Sequence, residues 1–258
     1  MRCSTTELHR LDSEGGESGG ERGSVKRRGL EVSPALHRTD GRCQCGGVKW
    51  ILLMLSLAVP APALAAPEAA GPKTATLAAE ELAGFDELSG ATKALLRTAL
   101  SVTARGLAYK AGSADPDTGG TDCSGFVYHV LQKQGVAGVP RQSNGMYEWV
   151  WKAGTFRACN GRTMESFEFQ ELRPGDLLFW VNSTKDSKTD RDPPVTHVMI
   201  YLGKRRSDGH PVVAGASDGR TYDGQRMSGV SVFDFRLPSP ESAARFIGYA
   251  HLPAAKSK

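Results

Sequence analysis

Cys123 is the residue of this chain whose type and setting point most directly to nucleophilic chemistry. It lies in the segment GGTDCSGFVYHVLQ, residues 119–132, where glycines and small polar residues give way to an apolar pattern of helical spacing. That pattern predicts a helix from Cys123 to Gln134, with the cysteine in its first turn. Because the N–H groups and the dipole of a helix N-terminus stabilise a thiolate, this position favours a nucleophilic cysteine.

His197 could serve as the base for that cysteine. It stands near the start of the apolar segment THVMIYLG, which predicts a core strand. A cysteine on a helix end that faces a histidine on a sheet is the arrangement of a thiol hydrolase. The imidazole would remove the thiol proton, the helix N–H groups would hold the oxyanion, and the imidazolium would protonate the leaving amine. The alternative for His197 is a histidine packed in the core for structural reasons.

Cysteine chemistry offers three other roles for Cys123: a buried structural thiol, half of a disulfide, or a metal ligand. Free cysteine is among the most buried residue types, but Asp122, Ser124 and the adjacent glycines are poor neighbours for a core side chain. Cys159, in a segment of loop composition, is a possible disulfide partner that would block the chemistry. The sequence has no CxxC or HExxH spacing, so we expect no metal and no cofactor.

The elements that must position these residues come as helices first and strands second. Helical spacing predicts two short helices between Leu77 and Arg105, broken near Ser89 and Gly90, and another over Ser143–Lys152. Strand patterns follow at Asp176–Val181, His197–Gly203, Val212–Ala216, Val230–Phe235 and Phe246–Leu252. This order predicts an α+β domain, in which N-terminal helices pack on an antiparallel β-sheet. The polar insertion Asn182–Thr196 is predicted to be a surface loop.

The N-terminal part of the chain contains a second informative segment. Residues 49–66, KWILLMLSLAVPAPALAA, combine a basic residue, a short apolar run and small residues, which is the build of a secretory signal peptide. Two prolines interrupt the run before the roughly 20 apolar residues that a membrane span needs. Residues 1–48 have no hydrophobic periodicity, and we interpret them as a non-native or disordered extension, with translation starting at Val48. Residues 67–76 are predicted to be a linker and residues 77–253 a single catalytic domain.

Composition excludes several classes of function. The formal net charge of +4 over 258 residues is too small to indicate nucleic-acid binding. Neither GxxxxGK[ST] nor GxGxxG occurs, so no nucleotide site is expected. Removal of the signal peptide leaves Cys123 and Cys159 as the cysteines of the mature chain. We therefore expect a monomer that binds no nucleic acid and has no stable membrane anchor.

Five sequence blocks together carry a resemblance to a known family. TDCSGFV, RPGDLLFW and THVMIYLG resemble the signature blocks of the NlpC-type cell-wall cysteine peptidases, a papain-like family. GLAYKAGS resembles the stretch upstream of the family's cysteine, and VPRQSNGMY resembles its post-helix segment. The likeness extends from about Gly106 to Ser217. It implies a papain-like thiol hydrolase core.

The resemblance also assigns roles to individual residues. Cys123 matches the nucleophile and His197 the general base. Substrate-binding roles are implied for Tyr109, Asp122, Ser124 and Arg141. Among these, Tyr109 would line the cleft, and Asp122 and Ser124 would contact the free amino end of a stem peptide.

One position departs from the family's pattern. The family places His, Asn or Gln on the next strand, where the side chain orients the catalytic imidazole. The matching position here is Gly215, which has no side chain for that task. Asp218 is our candidate for the third catalytic group, and the alternatives are Ser217, His210, a backbone carbonyl or water.

The resemblance implies an exported cysteine peptidase that hydrolyses peptidoglycan stem peptides, at the bond between D-glutamate and a diamino acid. It would act in the periplasm or cell wall of a bacterium. Gly215 suggests a first alternative, a catalytically weakened domain that binds stem peptides or a partner protein. A second alternative is a thiol amidase or acyltransferase that acts on another substrate.

Overall fold

The computed structural model describes residues 71–182 and 191–253. The predicted N-terminal extension (1–48) and signal peptide (49–66) lie outside the described residues, as do residues 67–70 of the predicted linker. The chain divides into one unit over Met1–Pro62 and another over Ala63–Lys258, and the described residues all belong to the second.

Three α-helices precede most of the sheet: α1 (Gly90–Thr103), α2 (Cys123–Lys133) and α3 (Ser143–Lys152). The predictions for α2 and α3 are confirmed, and α1 begins after the predicted break because the Ser89 hydroxyl accepts a hydrogen bond from the Thr92 N–H. The other helix predicted before that break is wrong. Two short 3-10 turns stand there, at Ala79–Glu81 and Phe85–Glu87.

The reason for this difference lies in the backbone between the two 3-10 turns. Leu82 is extended and Gly84 adopts a left-handed conformation with φ of 68°, so the helical ladder cannot continue through them. Leu82 and Phe85 are nevertheless buried. The apolar spacing of this segment therefore reflects burial of single side chains and not an amphipathic helix.

The strands form one large sheet and one small pair. Their bounds are β1 (Ala108–Tyr109), β2 (Gly120–Thr121), β3 (Phe156–Ala158), β4 (Leu177–Asn182), β5 (Val195–Lys204), β6 (Pro211–Tyr222), β7 (Gln225–Asp234) and β8 (Ala244–Ala250). In the large sheet, six strands pair antiparallel in the order β3-β8-β4-β5-β6-β7. The small sheet consists of β1 paired in parallel with β2. All five predicted strands are confirmed. Strands β1, β2 and β3 have only two or three residues, too few for an alternating pattern.

The two faces of the large sheet bury different cores. Alternate residues of β5, among them Val198 and Ile200, pack with side chains of the three helices, such as Phe126 of α2. Their neighbours, such as Met199, pack on the opposite face with a second cluster that includes Trp180. This is the period-two burial of a strand covered on both sides. The predicted α+β class with an antiparallel sheet is confirmed.

The described end of the predicted linker contacts the domain. The Lys73 carbonyl accepts from the Ser228 N–H at 2.9 Å, and the Ala75 carbonyl accepts from the Val232 N–H at 2.8 Å. These bonds cover the exposed edge of β7. Within residues 71–182 and 191–253, no helix is both long enough and apolar enough to span a membrane.

Candidate active site

Cys123 is the first residue of α2, as the sequence predicts. The preceding residue, Asp122, caps the helix by accepting a hydrogen bond from the Gly125 N–H at 2.6 Å. Gly125 has to be a glycine, because an added Cβ would collide with the carbonyl oxygen of Ser113. The same carbonyl accepts from the Asp122 N–H at 3.0 Å. The DCSG sequence therefore fixes the loop before α2 against the first turn of the helix.

The thiol of Cys123 lies against the backbone of β5, at the residues on either side of His197. Its Sγ is 3.8 Å from the Thr196 carbonyl oxygen, and the Val198 N–H lies near enough to favour the thiolate form. β5 pairs with β6 only from Ile200, opposite Ala214, to Lys204. The Val198 N–H lies before this paired segment, so β6 does not occupy it and it can face the sulfur. Tertiary packing thus brings the predicted nucleophile to the strand segment that carries the predicted base.

The resting thiol of Cys123 is protonated at neutral pH. Burial raises its pKa above the ordinary value, and the charge of Asp122 acts in the same direction. The N–H groups of Val198 and Ser124 and the charge of Arg191 stabilise the thiolate, but they do not offset the burial. The Ser124 N–H at the helix N-terminus and the Val198 N–H of β5 therefore favour the thiolate without making it the form present in the free protein.

His197 points to the face of the sheet away from α2. It is paired directly with Trp180 of β4, and the two rings meet edge to face with centroids 5.6 Å apart. Its Nε2 is buried and has no hydrogen-bond partner among the described residues. Nor does a hydrogen bond join the imidazole to the Cys123 sulfur within the described part of the chain.

The protonation state of His197 follows from this environment. Burial is the main cause that lowers its pKa well below the ordinary value, and the nearby positive charge of Arg220 lowers it further. The imidazole is therefore neutral at pH 7. Neutral thiol and neutral imidazole, rather than a thiolate–imidazolium pair, are the resting forms of the two groups.

The third catalytic position is filled by a neighbouring side chain. Gly215 lies below Met199, and a Cβ added at Gly215 would come within 2.8 Å of the Met199 Cγ. No orienting side chain could occupy position 215 unless Met199 moved. Asp218 is exposed, and its Oδ1 accepts from the Gly229 N–H at 3.1 Å. Among described contacts none joins the Asp218 carboxylate to His197, so its orienting role stays a prediction.

Three of the predicted substrate-binding residues form one cluster beside the thiol. Arg141 donates to both carboxylate oxygens of Asp122, at 3.1 and 2.9 Å, and to the Ser124 hydroxyl at 3.0 Å. The Gly112 N–H donates to the same carboxylate at 2.9 Å. Burial opposes ionisation of Asp122, yet the hydrogen bonds from Arg141 and Gly125 outweigh it and hold the carboxyl pKa below its ordinary value. The Asp122 carboxylate is therefore already saturated with donors.

Tyr109 lies close to this cluster on β1. The residue is 38% exposed, and its hydroxyl interacts electrostatically with Cys123, Asp122 and Asp218. Burial is the largest cause that raises the pKa of Tyr109 to about 12, and these three interactions act in the same direction. The phenol is thus a neutral, partly exposed group on the rim of the site.

Sequence reasoning missed Trp180 and Arg220, which line a cleft together with His197, and Met199, whose side chain covers Gly215. Trp180 and Met199 read as core residues of strands, which they are. Arg220 stands in the polar segment DGRTYDG, where no spacing or composition distinguishes it from a solvated turn residue. In the part of the chain that the structure describes, no group of three potential metal-ligating side chains occurs.

Similarity to known proteins is concentrated in the segment that builds this site. The family model for the NlpC/P60 family matches residues 106–219. A solved structure from Staphylococcus aureus subsp. aureus Mu50, described as similar to a lipoprotein of the NLP/P60 family, is 22% identical with a TM-score of 0.37. That match covers 64% of this chain and 42% of the other, so the present chain corresponds to less than half of that protein. No curated protein matches the chain.

Proposed function

We propose that this chain, whose residues 106–219 match the family model for the NlpC/P60 family, is an exported cysteine peptidase of peptidoglycan stem peptides. The scissile bond in this proposal is the one between D-glutamate and a diamino acid. The fold in this proposal is a papain-like thiol hydrolase core. The protein would work as a monomer in the periplasm or cell wall, without a metal or cofactor.

The observation that carries the proposal is the position of the Cys123 thiol. It projects from the first turn of α2 onto the β5 backbone at Thr196 and Val198, the neighbours of His197. A substrate carbonyl that reaches the sulfur would meet the N–H groups that now point to the sulfur, which are suitable donors for an oxyanion.

The reaction then follows from proton movements between two neutral groups. In this proposal the His197 imidazole, which has no hydrogen bond to the sulfur at rest, turns toward Cys123 when substrate binds. It then accepts the thiol proton as Cys123 Sγ forms a bond to the carbonyl carbon of the substrate. Collapse of the tetrahedral intermediate breaks the C–N bond, and the imidazolium gives its proton to the leaving amine. Water, deprotonated by His197, hydrolyses the thioester and restores the thiol.

Substrate binding in this proposal begins at Tyr109, because it is the most exposed of the four predicted binding residues. The side chains of Asp122 and Arg141 are 13% and 31% exposed and are paired with each other. A substrate ammonium group could contact Asp122 only by sharing it with Arg141. We therefore propose that Arg141 sets the strength of that contact by competing for the carboxylate.

A second candidate function is binding of stem peptides without cleavage. Three observations favour it: the raised pKa of Cys123, the lowered pKa of His197, and Met199 in the space above Gly215. Each reduces the driving force for proton transfer from the thiol to the imidazole. A thiol amidase or acyltransferase that acts on another substrate is a third candidate.

Incubation of the purified protein with muropeptides, analysed by mass spectrometry, separates the three candidates. The peptidase predicts fragments cut within the stem, and loss of cutting in Cys123→Ala. Binding of muropeptides without cutting would favour the second candidate, and neither binding nor cutting would favour the third. Cutting that persists in Cys123→Ala would exclude the thiol mechanism. Cys159→Ala is the matched control, since Cys159 is also buried and unpaired but its Sγ contacts the carbonyls of Arg157 and Glu168.

A further inference from the structure

A cleft of about 550 Å³ opens beside the imidazole, and its walls come from three strands. Trp180 of β4, His197 of β5 and Arg220 of β6 all line it. Arg220 belongs to the part of β6 beyond its pairing with β5, where β6 pairs only with β7. The long β6–β7 hairpin therefore brings a guanidinium group to the predicted general base.

Arg220 stacks on an aromatic ring and has no counter-ion among the described residues. Its Cζ lies 4.6 Å from the centroid of the Trp180 ring. Stacking on an aromatic face leaves the N–H edge of a guanidinium available for a planar acceptor. Among the described residues, no carboxylate lies within ion-pair distance of Arg220. Burial without a partner lowers its pKa to about 10, so it remains positively charged at pH 7.

The two carboxylates that line the same cleft have other partners. Asp234 pairs with Arg236 at 3.4 Å and with Arg205 at 4.0 Å. Asp218 accepts from the Gly229 N–H. Asp218 keeps its negative charge, but neither Asp218 nor Asp234 forms an ion pair with Arg220 among the described residues.

Two further nitrogen atoms at this cleft lack partners. Nε1 of Trp180 and Nε2 of His197 are buried, and neither has a hydrogen-bond partner in the described part of the chain. The indole nitrogen is a donor only, and burying a donor without an acceptor costs free energy. Both nitrogen atoms are enclosed in the wall of the cleft, so the group that the cleft offers to a ligand is the positively charged guanidinium of Arg220.

We propose that Arg220 binds a carboxylate group of the substrate, on an atom close to the scissile carbonyl. The inference rests on the proposed function and deepens it, because it names the chemical group that the cleft selects. His197 lines the same cleft as Arg220, and so does Thr196, whose carbonyl oxygen is 3.8 Å from the Cys123 Sγ, so an anion bound to Arg220 lies near the predicted base and nucleophile. Arg220 is a specificity residue in this scheme, and the substrate has to be acidic next to the bond that is cut.

A matched pair of synthetic peptides tests the inference. Both contain a γ-linked D-glutamyl–diamino acid bond, and they differ only in a free α-carboxylate or an α-carboxamide on the glutamyl residue. The wild-type protein is expected to prefer the carboxylate by about tenfold to a hundredfold in kcat/KM, the range of a hydrogen bond to a charged group. Arg220→Gln removes that preference, and Arg220→Lys retains part of it, because lysine keeps the charge but not the planar fork.

The matched control is Arg226→Gln, which makes the same change on an exposed arginine of the same hairpin, outside the cleft. It is expected to leave the preference unchanged. Binding to the Cys123→Ala protein, measured by calorimetry, gives a second readout that does not need cleavage. The His197 imidazole resonances of that protein should shift with the carboxylate peptide and not with the carboxamide.

The outcomes distinguish this inference from the proposed function. If wild type cuts both peptides equally well and Arg220→Gln changes nothing, the inference is wrong and the peptidase stands. If neither peptide is cut but the carboxylate peptide binds selectively through Arg220, the cleft is confirmed and the peptidase is wrong. Equal binding of both peptides to Cys123→Ala and to its Arg220→Gln double variant would overturn the inference.

Discussion

Replacement of Asp122 by alanine should destabilise the protein, because this one carboxylate supports both the nucleophile helix and a half-buried arginine. It accepts from the Gly125 N–H at 2.6 Å, from the Gly112 N–H at 2.9 Å and from two nitrogens of Arg141. Loss of a helix N-cap costs about 1 kcal/mol. Leaving the Gly112 N–H without an acceptor, and Arg141 with only the Ser124 hydroxyl, adds about 1–3 kcal/mol.

We therefore expect Asp122→Ala to lower the free energy of unfolding by about 2–4 kcal/mol. Asp122→Asn keeps a capping oxygen and loses the charge opposite Arg141, so about 1–2 kcal/mol is expected. The matched control is Asp117→Ala. Asp117 pairs with Arg105 at 2.8 Å, but its side chain is 82% exposed, and such surface pairs contribute less than about 1 kcal/mol.

Urea unfolding followed by circular dichroism measures these differences, and its pH dependence adds a second test. Because the pKa of Asp122 is lower in the folded protein than in the unfolded chain, its contribution is complete above about pH 4 and is lost as the pH falls through the folded value. The gap between wild type and Asp122→Ala should shrink on acidification. A gap below 1 kcal/mol at pH 7, or one that stays constant down to pH 3, would refute the reasoning.

Three further predictions concern the same site. Gly125→Ala forces a Cβ into the Ser113 carbonyl and should lower the free energy of unfolding by about 1–3 kcal/mol. Gly90→Ala, the control, has open space around it and should not, so equal unfolding curves for the two variants would contradict this. Alkylation of Cys123 by iodoacetamide should keep accelerating above pH 9.0, because burial raises the thiol pKa; a plateau by pH 7 would show a preformed thiolate. Arg220→Gln should raise the pKa of His197 in an NMR titration, since it removes a nearby positive charge, and an unchanged value would place Arg220 elsewhere.

Local patterns predicted most of the regular structure of the domain. Helices α2 and α3 and five strands of the large sheet have enough residues for their periodicity to be visible, and they form where the patterns indicate. The segment before α1 misled the prediction, because Leu82 and Phe85 have helical spacing but are buried from two separate 3-10 turns. The shortest strands have no pattern at all, since they exist only through pairing with distant segments.

The sequence by itself determined the nucleophile end of the site. In the DCSG segment, Asp122 is the helix N-cap, and Gly125 lets the Ser113 backbone lie against the first turn. The position of Cys123 at the start of α2 is therefore a local property of the sequence. The type and spacing of these residues are sufficient to predict a helix N-terminus that carries a thiol.

Only the tertiary structure decided what surrounds His197. Whether its imidazole meets a carboxylate, a methionine or an arginine depends on the register of β4, β5 and β6 and on the length of the hairpin after Gly215. Side chains from these three strands meet around His197, and no local sequence pattern predicts which side chains will be there. The pKa of His197, the space above Gly215 and the charge of the cleft therefore follow from long-range pairing, and they decide how strongly the cysteine can act.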